Sequence, residues 1–446
     1  MQQKTNHLKK QLLSFFYFVL LTVDVEAEWS VDQSAKVNYS QQFFLSKLPD
    51  KNVKNNYSIL EVSPQLQLKK ANFKFYAQPL LYHKFTTNYE VEKNFFDPKD
   101  SYLEGLWGSW RIRIGSQIHN WGVIDLYSPG DIVNSSTLFD PLHPQKLGAV
   151  GVDLTWSTFG KKLQFLYLPI RRRTQLPAQD SRWLPRDIIT NAVDNHLDIY
   201  LPESINYIYD KNYELPDALT NNFGTRLSLT FGEVDWHLFY FHGLSPIPQM
   251  EIEATAVADV IDPTTSQLMG VKVEPDVFLR PIEYGLSTLG NSLVWAPEWA
   301  ILRWETIYAD TFNKDPRVVN ERLLQSALSI EKQLNVFDKN LIVQVQYYLA
   351  ERKQALNNIT ESNFQIFADA MVLNSILAIN DNNSLYFSQL FNFESSSYLT
   401  ALGGVLKIND MFSVESKVAF LNGPSNTIIG TFKNNDLVEV KLNIYY

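Results

Sequence analysis

The sequence predicts an all-β protein, a transmembrane antiparallel β-barrel of about 16 strands (roughly 14 to 18), with short turns at one end and long loops at the other. Three observations carry that expectation. The last nine residues alternate apolar and polar side chains, similar alternation recurs along the chain in segments of about ten residues, and the connections between those segments are alternately short and long.

The closing segment is the clearest. Val438, Val440, Leu442, Ile444 and Tyr446 alternate with Glu439, Lys441, Asn443 and Tyr445. A strand has a side-chain period of two, so one face is apolar and aromatic and the other polar. At the other end Lys9 and Lys10 precede an apolar run from Leu12 to Val23, and Val25-Glu26-Ala27 places small residues where a signal peptidase inspects them. That run is shorter than the roughly 20 apolar residues of a membrane-spanning helix. The expected organisation is a signal peptide over 1–27, an N-terminal periplasmic segment over 28–56, and a barrel over 57–446 with an inward-folded loop at about 115–146.

Composition agrees with a barrel and narrows the chemistry. Aromatic residues make up 13% of the 446 residues and there is no cysteine, so disulfide scaffolds and thiolate metal sites are excluded. The formal charge of −9 argues against nucleic acid as a partner, because such proteins present a basic stripe or patch. Arg171-Arg172-Arg173 is the nearest thing to one and reads as a solvated or lipopolysaccharide-facing loop edge.

In chain order, less regular segments at 58–69 and 73–85 come before a strand around Arg111. Clean alternation follows at Val150 to Trp156, Leu163 to Tyr167, Leu227 to Phe231 and Val234 to Tyr240. Further segments are expected at 278–289, 300–308, 324–334, around Val343 to Tyr347, and at 371–379, 385–393, 398–408 and 412–420, before the closing strand. Asp153, Gln164, Arg226, Asp235, His237, Gln344, Gln346, Glu415 and Lys417 fall on the inward face. Tight turns are expected at Phe159-Gly160, Gly232-Glu233, Gly290-Asn291, Asp338-Lys339, Asn380 to Asn383 and Asn409-Asp410. Long connections lie between them, at 171–223, 243–276, 310–322, 351–368 and 422–436. The alternation falters at 394–397, which is short, and at 86–100, which is long for a turn.

The segment with the most chemistry reads Trp110-Arg111-Ile112-Arg113-Ile114-Gly115-Ser116-Gln117, then Trp121-Gly122-Val123-Ile124-Asp125, then Asp131-Ile132-Val133-Asn134. With Trp110, Ile112 and Ile114 outward, Arg111 and Arg113 point into the lumen. Confined charges need partners. Asp125, Asp131 and Asp140 on the following segment are the expected carboxylates. The candidate pore-lining and constriction residues are therefore Arg111, Arg113, Gln117, Trp121, Asp125, Asp131, Asp153, Arg226 and His237.

The run from Arg111 through Gln117 with Trp121-Gly122, Asp125, Asp131 and Asn134 is similar to a motif in porin-like and alginate-export-like outer-membrane barrels of Gram-negative bacteria. Those patterns often carry a basic residue where this chain has Ser116 and a proline where it has Ser135. The closing strand, through Val438, Val440, Leu442, Ile444 and Tyr446, resembles the insertion signal read by the barrel assembly machinery. What the resemblance implies is a monomeric or homotrimeric passive channel in outer-membrane lipid and lipopolysaccharide, passing a small-molecule solute, with the motif near the constriction.

Enzymatic signatures are absent from the sequence: it has no Gly-x-Ser-x-Gly elbow, His-Glu-x-x-His pair or phosphate loop. A lipid-facing hydrolase would need Ser and His adjacent on the barrel surface, and His237 or His242 near Ser245 are the candidates. Asp125, Asp131 and Asp140 lack the spacing of a calcium loop, so no metal or other cofactor is expected. Trp107, Trp110, Trp156, Trp236, Trp299 and Trp304 suit interfacial girdles, while Phe239, Phe241 and Tyr348 fall inward and make the lumen partly apolar. The expectation is a porin-like diffusion channel. The competing class is a non-conducting barrel whose loops at 171–223 and 243–276 serve adhesion.

Overall fold

The computed structural model describes residues 29–446 except 49, 51–52, 171, 186–197, 201, 203–204, 210–220, 262–267, 313–321, 354–366 and 426. The proposed signal peptide at 1–27 lies outside the described residues. The chain opens with β1 (Ser30–Phe44), β2 (Asn56–Lys70), β3 (Phe73–Lys84), β4 (Asn94–Trp107) and β5 (Trp110–Gln117), then β6 (Ala149–Thr158) and β7 (Lys161–Ile170). Two short strands, β8 (Asp198–Tyr200) and β9 (Asn206–Tyr209), precede β10 (Asn222–Phe231) and β11 (Val234–Leu244). A long ribbon, β12 (Gln249–Ile261) and β13 (Leu268–Ile282), leads into β14 (Gly285–Trp295), β15 (Ile301–Phe312), β16 (Arg322–Val336) and β17 (Lys339–Lys353). The last strands are β18 (Asp369–Asn380), β19 (Asn383–Asn392), β20 (Ser397–Lys407), β21 (Phe412–Asn422) and β22 (Leu437–Tyr445).

Eighteen of these strands form one antiparallel sheet that closes on itself. β22 pairs with β21 on one side and with β1 on the other, in a register that sets Gln42 opposite Glu439 and Asn38 opposite Asn443. Closure leaves no barrel edge to pair with another chain. The remaining strands, β8, β9, β12 and β13, make a separate four-stranded sheet within the loops, where β13 runs parallel to β8 and β9.

The strand number lies within the expected range; of the two additional strands, one lies in the expected periplasmic segment and the other where the sequence pattern faltered. Residues 30–44, expected to be part of a periplasmic segment, form β1 and close the barrel. Residues 94–107, hidden in the apparent linker at 86–100, form β4. Pro98 and a left-handed Lys99 interrupt β4, and Gln78 faces both Lys99 and Asp100 across a bulge, so its period of two is broken in the middle.

These additions restore the parity of the connections. The tight turns at 71–72, 108–109, 159–160, 232–233, 296–300, 337–338, 381–382 and 408–411 lie at one end of the barrel, and the short connection at 393–396 belongs with the loops at the other. The expected turn at Gly290-Asn291 is absent because both residues sit in the middle of β14. The expected strand at 278–289 is divided between the end of β13 and the start of β14. Gly290 faces Phe239 across the strand pair, and a Cβ there would lie 2.1 Å from the Phe239 ring. The glycine makes room for an aromatic side chain instead of turning the chain.

Outward positions carry exposed apolar side chains such as Tyr167, Leu289, Leu328 and Leu402, and Val438, Val440, Leu442 and Ile444 share that face on β22. Inward positions are polar and buried at Asp153, Gln164, Gln346 and Glu439. The packed core therefore lies inside the barrel, where residues 118–148 fill the lumen. Ile124 and Phe139 pack with Phe44, Tyr57, Tyr348 and Val372 toward one wall. Trp121, Ile132 and Val133 pack with Phe239, Phe241 and Ile307 toward another.

Candidate constriction site in the barrel lumen

The inward segment is held by hydrogen bonds to several walls. Its base is closed by Asn134, whose side chain accepts from His119 N at 2.7 Å and donates to the carbonyls of Gln117 at 2.9 Å and Leu147 at 2.7 Å. Its middle is held by Glu305 of β15. That buried carboxylate accepts from Val123 N at 2.8 Å, from Ser128 Oγ at 2.6 Å and from Gly130 N. Glycines at 122 and 130 permit the approach, since a Cβ on Gly122 would lie 1.7 Å from Ser128 Oγ and one on Gly130 would lie 2.9 Å from Glu305 Oε1.

Farther round the lumen, Asp125 accepts from Gln344 Nε2 at 2.5 Å and lies 3.6 Å from Arg303, while the Tyr127 ring stacks on Phe367 at 4.2 Å. At the seam, Asp140 accepts from Gln42 at 2.8 Å and pairs with His143 Nδ1 at 2.8 Å, and the other ring nitrogen of His143 meets Lys417 and Glu439. Burial alone would raise the Asp140 carboxyl, but His143 and Lys417 hold it well below the usual carboxylate range. For His143, burial and Lys417 work against the proton, and Asp140 with Glu439 outweighs them, so its pKa is raised. Burial moves the other loop groups, lowering His119 to about 4 and raising Asp131 against the pull of Lys146.

The arginines do not find the partners expected of them. Arg113 donates to Glu104 at 2.5 Å and lies over the Tyr102 ring at 4.6 Å; Arg111 donates to Thr155 at 3.1 Å and lies 3.7 Å from Asp153. Cross-strand register explains this, because Glu104 and Asp153 face Arg113 from the two neighbouring strands and Thr155 faces Arg111. Asp125, Asp131 and Asp140 are instead engaged with Arg303, Lys146 and His143. Two candidate lining residues are packed away from the lumen surface. Trp121 is 1% exposed, donates to Gln164 at 3.1 Å and tilts against Phe239; Gln117 is 2% exposed. Arg226 donates to the Asn120 carbonyl at 3.0 Å, and His237 is inward beside Ser228 and Ser292.

The basic run is also structural where it is described. Arg172 pairs with the buried Asp97, and Arg173 pairs with Glu283 at 2.8 Å. Arg171 lies outside the described residues. Sequence reasoning missed three inward residues: Glu104, paired with Lys74 and Arg113 on the neighbouring strands; Glu305, which takes the inward segment; and Lys162. It also missed Arg182, which is buried, donates to Asn435, Asn55 and two carbonyls, and lies over Phe44 at the loop end of the seam. His242 Nδ1 lies 2.7 Å from Ser287 Oγ on the outward face, its ring stacked on Phe312. Asp310, next in that row, pairs with Arg322, and Ser245 donates instead to the Ile247 carbonyl. Among the described residues no group of His, Asp or Glu is arranged to hold a metal ion.

No family model matches the chain, and no curated protein matches its sequence. Among solved structures it is similar to a loop-deletion mutant of OmpT, an outer membrane protein of Vibrio cholerae, with a TM-score of 0.44 and 9% identity over 94% of this chain and 99% of that one. A triple mutant of the Rhodopseudomonas blastica porin gives a TM-score of 0.41 and 10% identity over 94% and 100%. Outer-membrane-expressed OmpT of Vibrio cholerae gives 0.41 and 10% over 95% and 100%. The barrel itself is established by the strand register of this chain.

Proposed function

We propose that this protein is an outer-membrane channel for passive diffusion of small hydrophilic or amphipathic solutes, inserted by the barrel assembly machinery, with residues 118–148 as its constriction. The observation that carries the reading is the way this segment crosses the lumen, from its base at Asn134 to Glu305 on one wall and Gln42 and Lys417 on another. A constriction fixed at several points narrows a pore without depending on loop motion, and its polar edge chooses among solutes. A closed barrel with an apolar outer band and a polar interior is what a membrane-spanning sheet requires.

A second reading, a non-conducting barrel whose loops serve surface interaction, is favoured by the Arg182 hub and the four-stranded loop sheet, which cover part of the loop end. Planar-bilayer recordings of the refolded protein decide between them. The channel reading expects steady single-channel steps that grow when residues 120–144 are deleted, whereas silence of both folded forms overturns it.

A further inference from the structure

We propose that the lumen wall beneath the inward segment holds an oxyanion-binding subsite, formed by Arg111, Lys162 and Arg226 with His237 at its edge, that takes a carboxylate- or phosphate-bearing solute. The proposal rests on the channel reading only for the solute's route to the site. The residues stand in two adjacent rows of the inner face. One row runs Arg111, Thr155, Gln164, Arg226 across β5, β6, β7 and β10, and the next runs Ser157, Lys162, Ser228, His237 across β6, β7, β10 and β11. Neighbouring strands are about 4.8 Å apart, so long basic side chains from these rows reach a common volume over Gln164 and Ser228.

The charge in this patch is not balanced. Asp153 is the carboxylate nearest Arg111, and its oxygens also accept from Thr155 and Gln164, each at 2.7 Å. Arg113 is already committed to Glu104, and Asp235, farther toward the turn end, accepts from Thr230 at 2.6 Å. Lys162 has no ion pair or hydrogen bond among the described residues, and Arg226 donates to a neutral carbonyl, while Glu305, the carboxylate that acts on it, is itself taken up by Val123, Ser128 and Gly130. Several other lumen cations are matched, Lys74 with Glu104, Arg303 with Glu331 and Lys417 with Glu439.

A second observation points the same way. Arg111 Nε, Arg226 Nε and His237 Nδ1 are buried and without a partner. Confined charges and buried donors are normally satisfied, by protein groups or by a ligand. A carboxylate or phosphate supplies several acceptor lone pairs at once and suits the forked donors of arginine. Trp121 and Asn120 of the inward segment close over Gln164 and Arg226, so a solute passing the constriction meets these cations.

The test is calorimetric titration of the refolded barrel with inorganic phosphate and, separately, with succinate at low ionic strength, alongside chloride conductance in a planar bilayer. Heat-modifiable gel migration confirms folding of every protein used. Saturable binding is expected, weakened about tenfold or more in Lys162→Gln and in Arg226→Gln, as loss of a charge-assisted contact implies, and unchanged in Lys441→Gln on the opposite wall. Response to phosphate alone, succinate alone or both supports the subsite and tells which oxyanion it takes. Binding without conductance supports the subsite and overturns the channel. Absence of binding to a folded barrel, or binding equal in wild type and both variants, overturns the subsite even if the channel conducts.

Discussion

Glu305 is the strongest test of the constriction. Its carboxylate takes two backbone N–H groups and one hydroxyl from a segment some 180 residues away in sequence, inside a wall where it is fully buried. A hydrogen bond to a charged group contributes about 1.5–3 kcal/mol, and three on one residue are not additive. Glu305→Ala therefore removes roughly 3–5 kcal/mol of docking and leaves the Val123 and Gly130 donors unmet. Glu305→Gln keeps one acceptor but turns an amide donor toward an N–H, a loss of about 2 kcal/mol, or roughly thirtyfold in the docked-to-released ratio. The chain has no native cysteine, so Val133→Cys, on the docked segment and buried between it and the wall, is a clean reporter. Thiol labelling of Val133→Cys should be slow in the parent and faster with Glu305→Gln, faster still with Glu305→Ala. Single-channel noise should rise in the same order while gel migration still reports a folded barrel. Labelling and noise that match the parent in both variants refute the latch.

Two further outcomes follow from the seam and the outer wall. The raised pKa of His143 contributes stability that is complete below its ordinary value of 6.5 and is lost as pH rises through the higher folded value. The lowered Asp140 contributes above its ordinary value of 3.8 and is lost only in strong acid. Thermal stability should therefore fall between pH 6 and pH 9, with Asp140, Lys417 and Glu439 facing the ring, and His143→Gln should flatten that fall; an identical pH profile in the variant removes His143 from the account. His242 and Ser287 touch on the outward face, yet Asp310 is paired elsewhere and the surrounding sheet N–H groups are in the ladder. A fluorophosphonate probe should leave Ser287 unlabelled, and labelling abolished by Ser287→Ala would make this barrel an enzyme.

The strands were legible where a single rule governs each side chain. In β22 every outward residue is apolar and every polar residue faces the lumen, so a period of two is visible without any partner. β1 and β4 obey the same geometry but carry a different chemistry. The inward and outward sides of β1 both include glutamines, and Gln41 is satisfied by Ser58 and Tyr39 on the outer face. In β4 the bulge at Lys99 shifts the phase midway. Gly290 shows the reverse confusion, because a residue type that commonly punctuates turns was selected for the space it leaves to Phe239.

The site was less legible for a reason that also bears on how the lumen works. Facing is readable from the alternation of Trp110, Ile112 and Ile114 with Arg111 and Arg113, but facing does not name a partner. Partners are set by register: Glu104 and Asp153 flank Arg113 on the two neighbouring strands, Glu104 takes Arg113, and Asp153 lies 3.7 Å from Arg111. Once Glu104 satisfies Arg113 and Asp153 lies against Arg111, the aspartates of the inward segment are free to bind elsewhere, and they do so on other groups: Arg303, Lys146 and His143. The segment is thus docked largely by wall residues remote from the basic patch, and the patch keeps its excess charge. Had Asp125 or Asp131 paired with Arg111, as the sequence alone suggested, the same residues would have closed the constriction and neutralised it. Separating those two tasks onto different walls is what leaves Lys162 and Arg226 available to a passing anion while the segment stays in place.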